Sequence, residues 1–393
     1  MALLVMGNWK TLFTKYSGIV EEKFDHLAFD LRRRLKLNDP VQIVTYRSYG
    51  TVNRFYVKGR VLENKRIARG TDQDTVLNNL LNMYKRFESD EVPNARLCIR
   101  HLEQEHLVTT DEEGYFKLNL APEAPVNPES MWHGIDIQLI DAPIPAEQIR
   151  CNAEVLIPPA DAEYGIISDI DDTIVRTGAT DLLAMSRTVF LNNSRTRLPF
   201  AGVSEFYKSL QLGRNGKRNN PFFYVSSSPW NLYDLLKEFL ELNRIPEGPL
   251  LLRDFGLQDN KLISSGHMGH KFSEIENILL TYPHLNFVLI GDSGQEDPAI
   301  YSHVVRQYPG RILAIYIRDV QLPERKKVAV QISQELRSEK VEMIIVENTV
   351  EAAEHAAAAG LIYTEAIGGI EQDKQEDQGE KPGKEDPAIF GGE

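Results

Sequence analysis

Residues 166–173 read Ile-Ile-Ser-Asp-Ile-Asp-Asp-Thr, an apolar stretch that runs straight into three carboxylates and a threonine. An apolar run bounded by turn formers suits a strand buried in a parallel sheet. The crevice beyond the carboxyl ends of such strands is where open α/β sheets bind ligands. Asp169 and Asp171, two apart on an extended chain, are expected to point the same way and to share a metal ion and a substrate. Their hard oxygens suit Mg²⁺, above all where a phosphate completes the shell. The bland reading of the same residues is an acidic loop after a core strand.

Three further segments bear on that choice. Residues 287–290 form a second apolar strand pattern that ends in Gly291-Asp292-Ser293-Gly294-Gln295-Glu296-Asp297. Residues 222–225 form a third, ending in Ser226-Ser227-Ser228-Pro229-Trp230. Lys271 opens a helical pattern with Ile275, Ile278 and Leu279 on one face. The order Asp-x-Asp-x-Thr, strand-end Ser, Lys, Gly-Asp-x-x-x-x-Asp resembles the four motifs of the haloacid dehalogenase superfamily of phosphatases. Residues 167–174, 199–207, 225–230 and 315–320 resemble more closely the phosphatidate phosphatase family typified by a yeast actin-patch protein, a distant relative of the lipins. The similarity covers about residues 160–365.

The resemblance implies a Mg²⁺-dependent phosphatase acting on a lipid phosphate, and a role for each residue. Asp169 is the nucleophile that forms an aspartyl-phosphate. Asp171 protonates the leaving oxygen and then takes a proton from the hydrolytic water. Asp292 holds Mg²⁺ together with Asp169 and the backbone carbonyl of Asp171. Lys271 neutralises a phosphoryl oxygen and the nucleophile's carboxylate, and Ser226 donates a hydroxyl to the phosphate. Thr173, on the substrate side, tightens the turn after Asp171. Asp297 holds either Lys271 or a metal-bound water.

Rival readings accompany several of these positions. Ser228 before Pro229 fits an N-cap and first helical position, which favours Ser226 over Ser227 and Ser228 for the phosphate. His267 and His270 flank Met268-Gly269, but a metal pair there lacks cysteine partners and is disfavoured. Arg318, at the end of the apolar run 312–317, is read as a surface charge in preference to a phosphate-proximal cation. No Walker-type glycine loop is present, which argues against a nucleotide kinase. Two other functions stay open: a phosphatase for a soluble or protein-bound phosphate, and a non-catalytic phosphatidate-sensing module. The second would be expected to lack the nucleophile or the second aspartate, and both are present.

The 393 residues suffice for two domains with real cores, and two cysteines give no disulfide framework. A formal charge of −13 argues against nucleic acid as a partner, and no apolar run approaches a membrane span. The expected location is cytoplasmic, with peripheral membrane contact as an option. Residues 1–40 read as a helical segment. Residues 41–158 read as a smaller, mostly-β, sandwich-like domain with turns at Ser48-Tyr49-Gly50 and a hairpin turn at Asp111-Glu112-Glu113-Gly114, interrupted by an amphipathic helix over 72–87. Residues 160–366 read as an α/β domain, a haloacid-dehalogenase-like doubly wound parallel sheet. Residues 371–393, with eight acids and three lysines, read as a disordered acidic tail.

The substrate reading rests partly on the roughly thirty residues between Thr173 and Ser204, too few for an independent lid domain. A lightly covered site suits a large or membrane-held substrate. Leu182, Leu183, Met185, Val189, Phe190 and Leu191, near Arg187, Arg195 and Arg197, form an apolar face that either touches a bilayer or packs on the sheet, the latter being favoured. The oligomeric state is left open.

Overall fold

The segment from Val41 to Leu156 carries eight strands and no helix among its described residues. The computed structural model describes residues 40–64, 91–127, 129–142, 149–174, 199–253 and 267–379. The helix expected over 72–87, the helical segment 1–39 and the apolar segment 182–197 lie outside the described residues. The eight strands are β1 (Val41–Tyr46), β2 (Ser48–Thr51), β3 (Arg54–Glu63), β4 (Arg96–His101), β5 (Gln104–Thr109), β6 (Tyr115–Leu120), β7 (Trp132–Asp141) and β8 (Arg150–Leu156). They pair in the order β1-β3-β2-β8-β7-β4-β5, with β6 on β3. Phe55, Val57 and Phe116 from one half of this sheet share an apolar core with Leu97, Ile99, Ile135 and Val155 from the other. Alternation along each strand supplies that inner face.

Two turns differ from the sequence expectation. Ser48-Tyr49-Gly50 is strand, and the chain reverses between Thr51 and Arg54 instead. Tyr49 is buried against Phe223 of the next sheet, and a side chain on Gly50 would meet Phe55 Cβ at 2.3 Å. That glycine serves close backbone approach, not reversal. The turn at residues 111–114 is real, with the Asp111 carboxylate accepting from the Glu113 and Tyr115 amides. It does not close a hairpin, because β6 leaves β5 and pairs with β3 over six residues.

After Pro158-Pro159 the architecture changes to a six-stranded parallel sheet. Its order is β11 (Leu250–Arg253), β10 (Phe222–Pro229), β9 (Gly165–Ser168), β12 (Phe287–Asp292), β13 (Ile312–Arg318), β14 (Glu342–Val346). Ile166 packs into the apolar layer on one face and Ile167 into that on the other. Burial on both faces is why these strands read as unbroken apolar runs. Helices α1 (Val203–Leu212), α2 (Tyr233–Leu242) and α6 (Thr349–Ala358) cover the first face. Helices α3 (His267–Thr281), α4 (Asp297–Gln307) and α5 (Pro323–Leu336) cover the second. The chain is thus α/β, a mostly-β region followed by a parallel sheet with helices on both faces.

Part of the expected disordered tail is ordered. Ala366–Gly379 forms α7, whose Ile370 is fully buried against the first apolar layer. Its acids explain why a polar segment folds there. Helix α1 begins after Gly202 without a side-chain cap of its own. Asp377 accepts from the Gly202 amide at 2.8 Å and Asp373 from the Glu205 amide at 3.2 Å. Helix-start amides need acceptors, and a neighbouring helix supplies them.

Candidate active site

Strand order reverses at β9: β10 and β11 lie to one side of it, β12 to β14 to the other. Asp169, just past β9, and Asp292, the last residue of β12, therefore fall on either side of the crevice at which such sheets bind ligands. The backbone turns directly after Asp169. Ile174 and Thr173 amides both donate to the Ile170 carbonyl, at 2.9 and 3.3 Å. Asp172 carries the turn at φ 53°, a left-handed conformation that aspartate tolerates better than most residues.

This turn gives the Asp169 and Asp171 carboxylates different partners. The Asp169 carboxylate lies 2.9 Å from Lys271 Nζ, an ion pair without hydrogen-bond alignment, and accepts from Thr173 Oγ1 at 3.3 Å. The Asp171 carboxylate instead accepts from Ser226 Oγ at 2.9 Å and Ser228 Oγ at 3.0 Å. The Asp171 backbone carbonyl accepts from Gln295 Nε2 at 3.3 Å. Ser226 and Ser228, two apart on β10, face the same way, and Ser228 is a partner of Asp171 and not an N-cap. Ser227 points a buried hydroxyl elsewhere, without a partner.

Lys271 is 2% exposed and bridges two carboxylates, with Asp297 Oδ1 at 2.6 Å. Of the two roles open to Asp297, holding Lys271 is the one the structure shows. Its second oxygen accepts from the Asp292 amide at 3.2 Å. A side chain on Gly291 would meet Asp297 Oδ2 at 2.5 Å, so only glycine lets this contact form. Asp292 Oδ1 accepts from the Gly294 and Gln295 amides, while its Oδ2 is buried with no partner. Arg318 is not the surface charge expected of it. It is 9% exposed, donates to the Thr173 carbonyl and the Thr349 hydroxyl at 3.2 Å each, and lies over the Phe200 ring. From there it fixes the far end of the turn that carries Asp169.

The electrostatics follow from burial. Burial pushes the Asp169 carboxyl well above the usual range, against the pull of Lys271. Burial, then Asp297, raises Asp292 to about 7. Burial alone would lower Lys271, yet Asp169, Asp297 and Asp292 together hold its ammonium above the ordinary value. One ammonium among three buried carboxylates leaves excess negative charge, the condition in which a further cation is favoured. One oxygen each from Asp169, Asp292 and Asp297 lies within 4.8 Å of the others. Two of these acids match the sequence expectation. Asp297 joins the group from the first position of α4, and the Asp171 carboxylate stands outside it. The unpartnered Asp292 Oδ2 and this all-oxygen set fit a small hard cation such as Mg²⁺. His270, next to Lys271 on α3, keeps its Nε2 buried without a hydrogen-bond partner. Among the described residues, no metal-capable cluster includes it.

Comparison with known proteins finds similarity over these residues. Residues 164–319 match the family model described as the phosphatidate phosphatase APP1 catalytic domain. The phosphatidate phosphatase APP1 of Saccharomyces cerevisiae is 33% identical over 271 residues, 65% of this chain and 43% of that protein. An uncharacterized protein of Schizosaccharomyces pombe is 32% identical over 166 residues, 39% of this chain and 25% of that one. The chain thus spans less than half the length of either relative. A solved carbohydrate acetylesterase from Xanthomonas citri aligns over 73% of this chain and 71% of its own at 10% identity and a TM-score of 0.24, too weak a likeness to carry an argument. The similarity to APP1-type phosphatidate phosphatases thus centres on residues 164–319, the part of the chain that carries the site.

Proposed function

We propose that this protein is a Mg²⁺-dependent phosphatase of haloacid dehalogenase type that hydrolyses a lipid phosphate monoester, phosphatidate foremost. The observation that carries this reading is the separation of two aspartates. Asp169 sits in the cation-binding group beside Lys271, and Asp171 is held apart by Ser226 and Ser228. A nucleophile and a proton donor need those different environments. The lipid substrate is drawn from the name of the yeast relative.

In this mechanism an oxygen of Asp169 attacks phosphorus as the bond to the leaving oxygen breaks, giving an acyl phosphate. Thr173 and Lys271 orient that carboxylate, and Lys271 offsets charge on the phosphoryl oxygens. Asp171 delivers its proton to the departing alkoxide, then accepts one from the water that attacks the acyl phosphate, which frees the Asp169 carboxylate and returns Asp171 to its protonated form. Ser226 and Ser228 aim the Asp171 carboxyl, and Gln295 fixes the backbone carbonyl beside it. Asp169, Asp292 and the Asp171 carbonyl, with Asp297 adjoining, would hold Mg²⁺. Bound there, the ion supplies charge neutralisation and in-line alignment of the phosphoryl group.

Phosphate release should be assayed from phosphatidate in mixed micelles, from a soluble phosphate ester and from a phosphopeptide, with Mg²⁺ and with a chelator. Chelator-sensitive turnover with phosphatidate fastest is the expected result. Faster turnover of a soluble ester or phosphopeptide would overturn the lipid assignment. Chelator-insensitive turnover would overturn the metal assignment.

A further inference from the structure

The mostly-β region does more than precede the parallel sheet, because it lays a row of cations and rings against the elements that carry the site. On the outer face of β3, Lys58 stands directly across from Lys117 of β6 and from Tyr46 of β1. Lys58 Nζ lies 4.2 Å from the centre of the Trp230 ring. Trp230 follows Ser228-Pro229, so it belongs to the segment that holds Asp171. Glu274, three residues after Lys271 on α3, is the carboxylate felt by both Lys58 and Lys117. The ring contact sets Lys58 beside the segment that holds Asp171, and Lys117 stands next to it across the ladder.

Two ammonium groups facing each other across an antiparallel ladder disfavour the pairing. Lys117 is exposed and rests on the Tyr56 ring at 5.2 Å, so packing does not require its charge. The chain as a whole carries −13, which repels a phosphate dianion at long range. Cations close to the site would offset that repulsion.

We propose that Lys58 and Lys117 of the mostly-β region form an electrostatic approach subsite for phosphate monoester dianions, which raises their capture by the carboxylate site. The subsite rests on the phosphatase reading above and adds a recognition role for the first region. It acts on the phosphate group, whether carried by a lipid or by a soluble ester. Lys58 and Lys117 are binding residues and take no part in bond breaking.

The test uses the full chain with Lys117→Gln, Lys58→Gln, the double variant and Lys58→Arg. With a soluble phosphate ester, the double variant should raise KM about tenfold with kcat unchanged, and its kcat/KM should fall less steeply with added salt. Lys58→Arg should retain wild-type KM, and phosphatidate micelles should show the same ordering. Equilibrium binding of inorganic phosphate to the same variants reads the subsite without turnover, so it stands apart from the phosphatase assignment. Unchanged KM, salt slope and phosphate affinity in the double variant would overturn the proposal. An effect on micelles only would also overturn it, because that pattern belongs to a lipid-surface contact. A fall in kcat matched by a fall in Tm would show a purely structural role at the interface.

Discussion

The two aspartates two residues apart answer to different neighbours, and that difference makes distinct variant phenotypes. Asp169→Asn keeps the shape and the contact with Thr173 but removes the nucleophile, so steady-state turnover should vanish. Asp171→Asn retains acceptors for Ser226 and Ser228 and should fold normally. Its kcat should drop about 10²–10⁴-fold, the usual contribution of general acid–base help. A loss under tenfold would assign Asp171 a structural role only. Lys271→Met leaves Asp169 and Asp297 buried without their cation. Breaking a buried pair this way costs about 3–5 kcal/mol, measurable as a lower urea midpoint. Side-chain identity and order were legible at this scale, since an apolar run ending in acids announces itself. The turn at Asp172 was not, because a positive φ at an ordinary aspartate leaves no mark in the residue pattern. Arg318 escaped for a related reason: its partners are a backbone carbonyl and a hydroxyl distant in sequence.

At the scale of elements, strands of the parallel sheet were legible from their unbroken apolar runs, and 166–168, 222–225, 287–290, 312–317 and 343–346 all fall within observed strands. Helix α7 was not, because its stability comes from one buried isoleucine and from capping another helix, neither visible in a polar composition. Ile370→Ala should therefore destabilise the protein by about 2–5 kcal/mol. An unchanged denaturation midpoint would show that residues 366–379 do not pack on the sheet. Helix α3 carries a second test through His270, whose imidazole is lowered by burial, then by Arg253 and Lys271, to about 4. The unfolded chain protonates that ring near 6.5 while the folded chain does not, so below 6.5 the unfolded state binds more protons. Its contribution is complete above pH 6.5 and is lost as pH falls toward 4, up to about 3 kcal/mol. His270→Gln should flatten the stability profile in that window. A difference between the two proteins that does not vary from pH 7 to 4.5 would contradict this.

For the whole molecule, the sequence suggested two bodies joined at Pro158-Pro159, and the structure shows how closely they are joined. Tyr46 packs on Trp230 and Tyr233, and Tyr49 on Phe223 and Tyr282. Arg47, nearly buried, pairs with Glu154 of its own region and with Glu241 and Glu247 of the other, and its amide donates to the Tyr233 hydroxyl. These residues read as ordinary strand residues in sequence, because a docking surface between two sheets has no period of its own. Both regions are expected to unfold in one transition. Tryptophan fluorescence, with Trp132 in one region and Trp230 in the other, should coincide with far-UV dichroism, and Arg47→Ala should shift the two together. Separate midpoints in the wild-type protein would show independent bodies. Among the described residues no helix is long and apolar enough to cross a membrane.

The central claim is covalent: the phosphoryl group passes through Asp169. The direct measurement is to mix the protein with phosphatidate and Mg²⁺, quench in acid within one turnover and map the phosphoryl mass by peptide fragmentation. One phosphoryl group on Asp169, absent in Asp169→Asn and accumulating when Asp171→Asn slows its hydrolysis, is the result this account predicts. Turnover with no phosphoryl group on Asp169 in any variant would contradict it.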